Sequence, residues 1–260
     1  MARSNAPRRA THRELKRLAV LLRDKSAREQ HGLFVAEGPR VVNAALQGRA
    51  PVKTVYVVDS TTELAQRAKA ARVEVLTMAA TDVERVGATR TPQPVFALIE
   101  MRPAAPDALT SASLSVVCVQ VNDPGNAGTL LRSAAAAGAT AVGLCAGSVD
   151  AYNPKVVRAS AGACFGLSTV EGIPALELLD ALGAAGVERL GAVPRGGRAP
   201  EQFDATKPTT FVLGHETRGL SADLPLDGLV TIPIVAGESL NVAMAGTALL
   251  FDAARQRRAT

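Results

Sequence analysis

The strongest constraint on the fold is an alternation of strand-like and helix-like segments that occurs twice along the chain. Apolar, β-branched runs predict strands at 115–121, 140–145, 187–193, 209–214 and 229–234, and helix-period segments fall near 127–137, 154–163, 175–184 and 240–257. Strands and helices in turn imply a mostly parallel sheet with helices on both faces. Asn126 can cap the first of these helices and Gly138 can end it; Asn153-Pro154 supplies a cap and a proline at the first helical position. An earlier region repeats the pattern on a smaller scale. A basic helix covers about 11–24, FVAE is a strand, GPRVVNAALQG a helix closed by Gly48, VKTVYVVD a strand, ELAQRAKAAR a helix, and VEVLTM and VFALIE are strands. RPAAPDALTSAS, residues 102–113, has no periodic apolar face and reads as a linker. The expected organisation is therefore a small α/β domain at 1–101 with a basic N-terminal arm, a linker at 102–113, and a parallel-sheet α/β domain at 114–260.

Composition excludes several classes. The 260 residues suffice for one large or two ordinary domains, and 47% apolar with 20% charged residues is typical of a soluble globular chain. No apolar run suits a membrane span, and MARSNAPRRATHRELKRLAV lacks the apolar core of a secretory signal, so a cytoplasmic protein without membrane partners is expected. Cys118, Cys145 and Cys164 sit in apolar runs without CxxC spacing, as reduced buried thiols do. His12, His31 and His215 are scattered, and no metal is expected. The net charge is +5. Much of the basic excess lies at the ends, at Arg3, Arg8, Arg9, Arg13, Lys16, Arg17, Arg23, Lys25 and Arg28, then Arg255, Arg257 and Arg258. Such ends suit a phosphate backbone, although charge alone fits a solvated helix face equally well. Aromatic residues are 3% and Trp is absent, so base stacking plays a minor part in any RNA contact.

Three polar clusters follow predicted strands. NDPGNAGTLLRS brings Asn126 and, further into the helix, Arg132; FVLGHETRGLS brings Gly214, Glu216, Arg218 and Gly219; IPIVAGESLNVAMAGTALLFDA brings Ser239, Leu240 and Asn241. The first has neither the Lys-Ser/Thr pair of a P-loop nor the three glycines of a dinucleotide fingerprint. Each cluster has an ordinary explanation: Asn126 as a helix cap, Glu216 facing a helix N-terminus, Ser239 or Asn241 beginning a helix. Together, at the carboxyl ends of strands in one open sheet, they converge on one crevice.

In this order the clusters resemble the three motifs of the SpoU (TrmH-type) RNA ribose 2′-O-methyltransferases. NPKVVRASAGACFGL is similar to the segment after the first motif, and FVAEGPRVVNAAL and TPQPVFALIE resemble the family's ribosomal-protein-like RNA-binding domain. The resemblance implies a C-terminal domain tied into a deep trefoil knot, a homodimer, and S-adenosylmethionine as methyl donor, held largely by backbone groups. By the same resemblance Gly214, Ile232 and Leu240 line the donor, with Leu213, Gly219 and the loop at Pro194-Arg195-Gly196 beside them. The small residues Ala243, Ala245, Gly246 and Ala248 suit close helix packing, within the knot or across a dimer. Arg218 stands where many relatives carry a small or acidic residue.

The catalytic set implied is Arg132, Asn126, Glu216, Ser239 and Asn241. A guanidinium stays charged, so Arg132 is better suited to fixing the target phosphate and stabilising a developing alkoxide than to acting as a base. Asn126, Glu216 and Ser239 would orient Arg132 and the nucleotide, and Asn241 would tie the third motif to the first. An alternative is that Arg132 merely pairs with Glu216. The expected substrate is large-subunit (23S) ribosomal RNA. A tRNA substrate is the alternative within the class, and a non-catalytic RNA-binding ribosome assembly factor is the alternative outside it.

Overall fold

The computed structural model describes residues 7–48, 50–88 and 91–259; Arg3 of the basic arm lies outside them. The chain forms two compact units. One comprises the residues up to Arg102 together with Tyr152–Phe165, and the other comprises Pro103–Ala151 and the residues from Gly166 onward.

The first unit runs α1 (His12–Arg23), α2 (Lys25–His31), β1 (Leu33–Glu37), α3 (Pro39–Gln47), β2 (Val52–Val57), α4 (Glu63–Ala70), β3 (Glu74–Thr77), α5 (Ala80–Val86) and β4 (Val95–Glu100). Its sheet has the order β1-β4-β2-β3, with β4 antiparallel to both neighbours and β2 parallel to β3. The two-residue period of β4 divides the core. Val95, Ala97 and Ile99 join one cluster with Val41, Val42 and Ala45 of α3, whereas Phe96 and Leu98 join another with Leu18, Leu21 and Leu22 of α1. Thr11 and Glu14 form a reciprocal capping box at the start of α1. The short α2 and α5 are additions to the sequence reading.

The second unit contains α6 (Asp107–Thr110), β5 (Leu114–Cys118), α7 (Pro124–Ala136) and β6 (Ala141–Leu144). The chain then passes through α8 (Pro154–Ala159), which belongs to the first unit, before β7 (Ser168–Glu171), α9 (Ala175–Ala184), β8 (Glu188–Ala192), β9 (Thr209–Leu213), β10 (Gly228–Val230) and α10 (Val242–Arg258). All six strands are parallel, in the order β10-β8-β9-β5-β6-β7. β7 adds a strand to the five expected from the sequence, and β10 is only three residues long where 229–234 is expected. Within 102–113, α6 buries Leu109 completely in the core beneath β5 and α9.

Segment 152–165 packs into the first unit through Val157, Tyr152 and Phe165, and the Tyr152 ring lies 4.9 Å from that of Phe34. Gly162 is required there: its φ is +94°, and a Cβ would lie 2.3 Å from that of Ala44. In the second unit α10 lies against α7 and β9. A Cβ at Gly246 would fall 2.4 Å from Leu130 and 2.6 Å from Leu213, so this small residue serves packing inside the chain. Ala243 is buried there too, whereas Met244 and Ala248 are exposed. Among the described residues no helix is long and apolar enough to cross a membrane.

One helix start differs from expectation. Asp123, not Asn126, caps α7: its carboxylate accepts the Asn126 amide at 2.8 Å, and Pro124 occupies the first turn. Asn126 lies inside that turn, which releases its side chain for another use.

Candidate active site

The second sheet changes direction at β5. The chain adds β6 and β7 on one side of β5 and later places β9, β8 and β10 on the other. Cys118 and Leu213 end β5 and β9 in register as neighbours, so the polar residues after both strands meet at the switch point, where open α/β sheets bind ligands.

A relay of hydrogen bonds joins all three clusters. Glu216 Oε1 accepts from Asn126 Nδ2 at 3.1 Å and from the Asp123 amide at 3.4 Å. Asn126 Oδ1 accepts from Asn241 Nδ2 at 3.0 Å, and Asn241 Oδ1 accepts the Ala243 and Met244 amides at the start of α10. The polarity of this relay is forced. An ionised carboxylate only accepts and helix amides only donate, so each asparagine has one orientation that satisfies both neighbours. Burial disfavours the charge on Glu216. The hydrogen bonds from its own amide, Asn126 and Asp123 outweigh that burial, and they hold the carboxyl below the usual range.

Beside the relay lies a cavity of about 200 Å³ between the ends of β8, β9 and β10 and the start of α10. Six of the positions expected at the donor line it, Pro194, Leu213, Gly214, Gly219, Ile232 and Leu240, whereas Arg195 and Gly196 do not. Glu216 and Ser239 line it as well; Asn126, Asn241 and Arg132 do not. The amides and carbonyls of Gly214, Ile232 and Leu240 enter no hydrogen bond among the described residues. Unpaired backbone groups in a wall shared with Ile234 and Leu249 suit a ligand with an apolar ring and several polar atoms. Gly214 has a second reason to be glycine, since a Cβ would lie 2.5 Å from the backbone of Gly219. A neighbouring depression of about 480 Å³ includes Arg195 and Gly196 and shares Pro194, Ile232 and Ile234 with the cavity.

Arg132 stands apart. It lies six residues beyond Asn126, about 9 Å further along α7 and about 240° around it. It is exposed and has no hydrogen-bond or ion-pair partner among the described residues. A pairing of Arg132 with Glu216 is therefore not what joins the first two clusters, and neither Asn126 nor Ser239 bonds to it. Arg218 does have a partner: its Nη2 donates to Gln120 Oε1 at 3.1 Å, after β5, where Gln120 holds a left-handed φ of +58°. Asp123 and His215 stand in the first and second polar clusters of the sequence, but the sequence assigns neither a role at the site. The Asp-Pro pair was a legible signal for the first, as a cap followed by proline. Among the described residues no group of three or more His, Cys, Asp or Glu is placed to hold a metal.

Residues 113–251, more than half of the chain, match the SpoU rRNA Methylase family, and residues 13–97 match the MRM3-like substrate binding domain. The chain belongs to the SpoU rRNA methylase family. Among SpoU relatives, the 23S rRNA (uridine(2479)-2′-O)-methyltransferase of Streptomyces viridochromogenes is 33% identical, over 98% of this chain and 94% of that one. The 23S rRNA (guanosine(2553)-2′-O)-methyltransferase of Bacillus subtilis is 31% identical, over 88% of this chain and 92% of its own. The crystal structure of the SpoU methyltransferase AviRb from Streptomyces viridochromogenes in complex with the cofactor AdoMet aligns with a TM-score of 0.84 at 29% identity, covering 96% of this chain and all of that one. Within the SpoU match, segment 152–165 is the part that packs into the first unit.

Proposed function

We propose that this chain transfers a methyl group from S-adenosylmethionine to the 2′-hydroxyl of a ribose in RNA, with 23S ribosomal RNA as the substrate. One observation carries the reading: six positions expected at the donor share a single cavity, and that cavity abuts a relay drawn from all three motifs. Family membership and relatives named for 23S ribosomal RNA along nearly the whole chain favour this substrate over a tRNA.

The donor supplies a methyl already activated on a sulfonium, so the chain's work is to hold, align and neutralise. Gly214, Ile232 and Leu240 offer backbone donors and acceptors, and Ile234 and Leu249 an apolar wall. Glu216, Asn126 and Asn241 lock the loop after β9 to the segment before α10, so this wall is set before ligands arrive. Ser239 lines the cavity with a free hydroxyl and contacts the nucleotide or donor. Arg132, an unpaired cation, holds the target phosphate and stabilises the ribose oxygen as its proton leaves to solvent. No metal takes part.

The active enzyme is a cytoplasmic homodimer with a knotted C-terminal domain. Two observations support dimerisation: Arg132 does not line its own cavity, and α10 exposes Met244 and Phe251 at 65% and 43%. The first unit, residues 1–101 with 152–165, forms the RNA-binding domain, and the second unit, into whose core 102–113 packs instead of serving as a free linker, forms the methyltransferase domain. Mapping 2′-O-methyl sites in RNA from cells with and without the protein tests this reading. One 23S ribosomal position should lose its modification; an unchanged ribosomal map with a lost tRNA site would transfer the assignment to tRNA.

A further inference from the structure

The loops after β5 and β9 meet twice. Glu216 ties the second loop to Asp123 and Asn126; two residues further on, Arg218 Nη2 donates to Gln120 Oε1 at 3.1 Å. Both ends of this second contact are held. The His215 amide donates to the Gly219 carbonyl at 3.2 Å and the Gly219 amide to the His215 carbonyl at 2.9 Å, which closes the loop around Arg218. On the other side the Val119 amide donates to the Leu213 carbonyl at 2.8 Å, and the Val121 carbonyl accepts the Val149 amide at 2.9 Å. Between those anchors Gln120 holds φ at +58°, a left-handed conformation that glutamine rarely adopts. Such conformations persist where the surroundings over-determine them, and they cluster at ligand clamps. A guanidinium only donates, so the carboxamide oxygen must face Arg218 and the amide nitrogen is turned away. That nitrogen has no acceptor among the described residues, and neither have the remaining N–H groups of Arg218, which enters no ion pair there. Arg23, by contrast, directs both Nη atoms to carbonyls, those of Ala19, Val86 and Gly87.

A neutral acceptor orients Arg218 without cancelling its charge, which a carboxylate in the same place would do. Both residues are exposed. Neither lines the donor cavity, although His215, Glu216, Thr217 and Gly219 of the same loop do. The pair therefore presents donors and one positive charge beside that cavity and outside it. We propose that Arg218 binds a phosphate of the RNA backbone next to the crevice, with Gln120 as the positioning residue that aims it. The proposal rests on the methyltransferase reading above and adds a second phosphate contact to that of Arg132. Arg218 does two things at once: one N–H ties its loop to the end of β5, and the others are open to the phosphate. A contact of this kind sets the register of the RNA strand and reads no base.

Two substitutions separate the charge from the tie. Equilibrium binding of the full-length protein to 23S ribosomal RNA lacking the modification is measured across a salt series, with demethylated donor present so that nothing turns over. Arg218→Ala should weaken binding about tenfold and reduce the slope of log affinity against log salt by about 0.7, one phosphate contact to a single strand, with donor affinity unchanged. Gln120→Glu keeps Arg218 aimed but neutralises it. Its slope should fall by a similar amount while the melting temperature stays at or above that of wild type, and the same substitution in the Arg218→Ala background should add little. If Arg218 is only a tie between loops, Arg218→Ala lowers melting temperature and donor affinity, Gln120→Glu is harmless, and neither moves the slope; that result overturns the proposal. A loss of donor affinity alone on Arg218→Ala overturns it too, because it places the bound anion on the donor's carboxylate. A wild-type protein that methylates no RNA when donor is supplied, yet binds RNA with a slope that Arg218→Ala lowers, upholds the site and counts against the methyltransferase reading.

Discussion

In the first unit many arginines end on protein acceptors. Arg8 reaches Glu14 and Glu74, Arg23 reaches the carbonyls of Ala19, Val86 and Gly87, Arg28 reaches that of Leu21, and Arg67 reaches Asn43 and Glu63. In the crevice of the second unit the polar groups end on one another, and the single arginine of α7 ends on nothing. The same side chain thus serves two purposes, told apart by whether the protein supplies its acceptor. A cation with a protein acceptor holds the fold; one without is available to a phosphate. In α1 the division falls within one helix, since Arg23 is engaged while Arg13, Lys16 and Arg17 are exposed and have no partner among the described residues. The basic N-terminal charge is therefore only partly free for RNA.

The largest expected effect is at Arg132. Arg132→Ala should lower single-turnover methylation by about 10²–10³ while donor affinity and melting temperature stay near wild type. Arg132→Lys should rescue poorly, because an ammonium lacks the planar fork. If Arg132→Ala lowers stability and donor affinity in step with rate, the arginine belongs with the bonded ones.

Next is the relay. Asn126→Asp is nearly isosteric, yet it sets a carboxylate against Glu216 and leaves two like charges where one polarity was forced. It should be worse than Asn126→Ala, with donor affinity lower by about tenfold. Equal effects of Asp and Ala would mean the relay has no fixed polarity. Because Glu216 titrates below the usual carboxylate range, its contribution to stability is fully present above the unfolded carboxyl pKa and is lost as pH falls through the folded one.

Legibility in the sequence followed the same division. The β-branched runs of β2, β5 and β9 announced themselves, and Gly214, Ile232 and Leu240 of the cavity lining stand in or beside the motifs that a reader of the sequence sees. Ser168–Glu171 was not legible, because STVE is short, half polar and at the sheet edge. The cap of α7 was misread because Asp123 and Asn126 are both good caps, and the proline after Asp123 decides between them. Nothing local distinguishes 152–165 from its flanks; its membership of the first unit depends on where Phe34 and Ala44 lie.

Smaller effects sharpen the contrast within α1. Replacing Arg13, Lys16 and Arg17 together by Ala should reduce the slope of log affinity for RNA against log salt by about 2–3, with donor binding unchanged. Arg23→Ala should do the reverse, lowering stability by about 1 kcal/mol and leaving the slope alone. Lys25→Ala, which removes only an exposed pair with Glu29, should stay within about 0.5 kcal/mol by thermal unfolding.

Delivery of a methyl group to a ribose oxygen is the chemistry that this crevice must perform. Purified protein, donor labelled in its methyl group and 23S ribosomal RNA lacking the modification suffice to test it, with a chelator present throughout and the digested nucleosides analysed for position of the label. Label is expected in a single 2′-O-methylnucleoside, formed without added metal. Label on a base, or none from a protein that binds both donor and RNA, would contradict it.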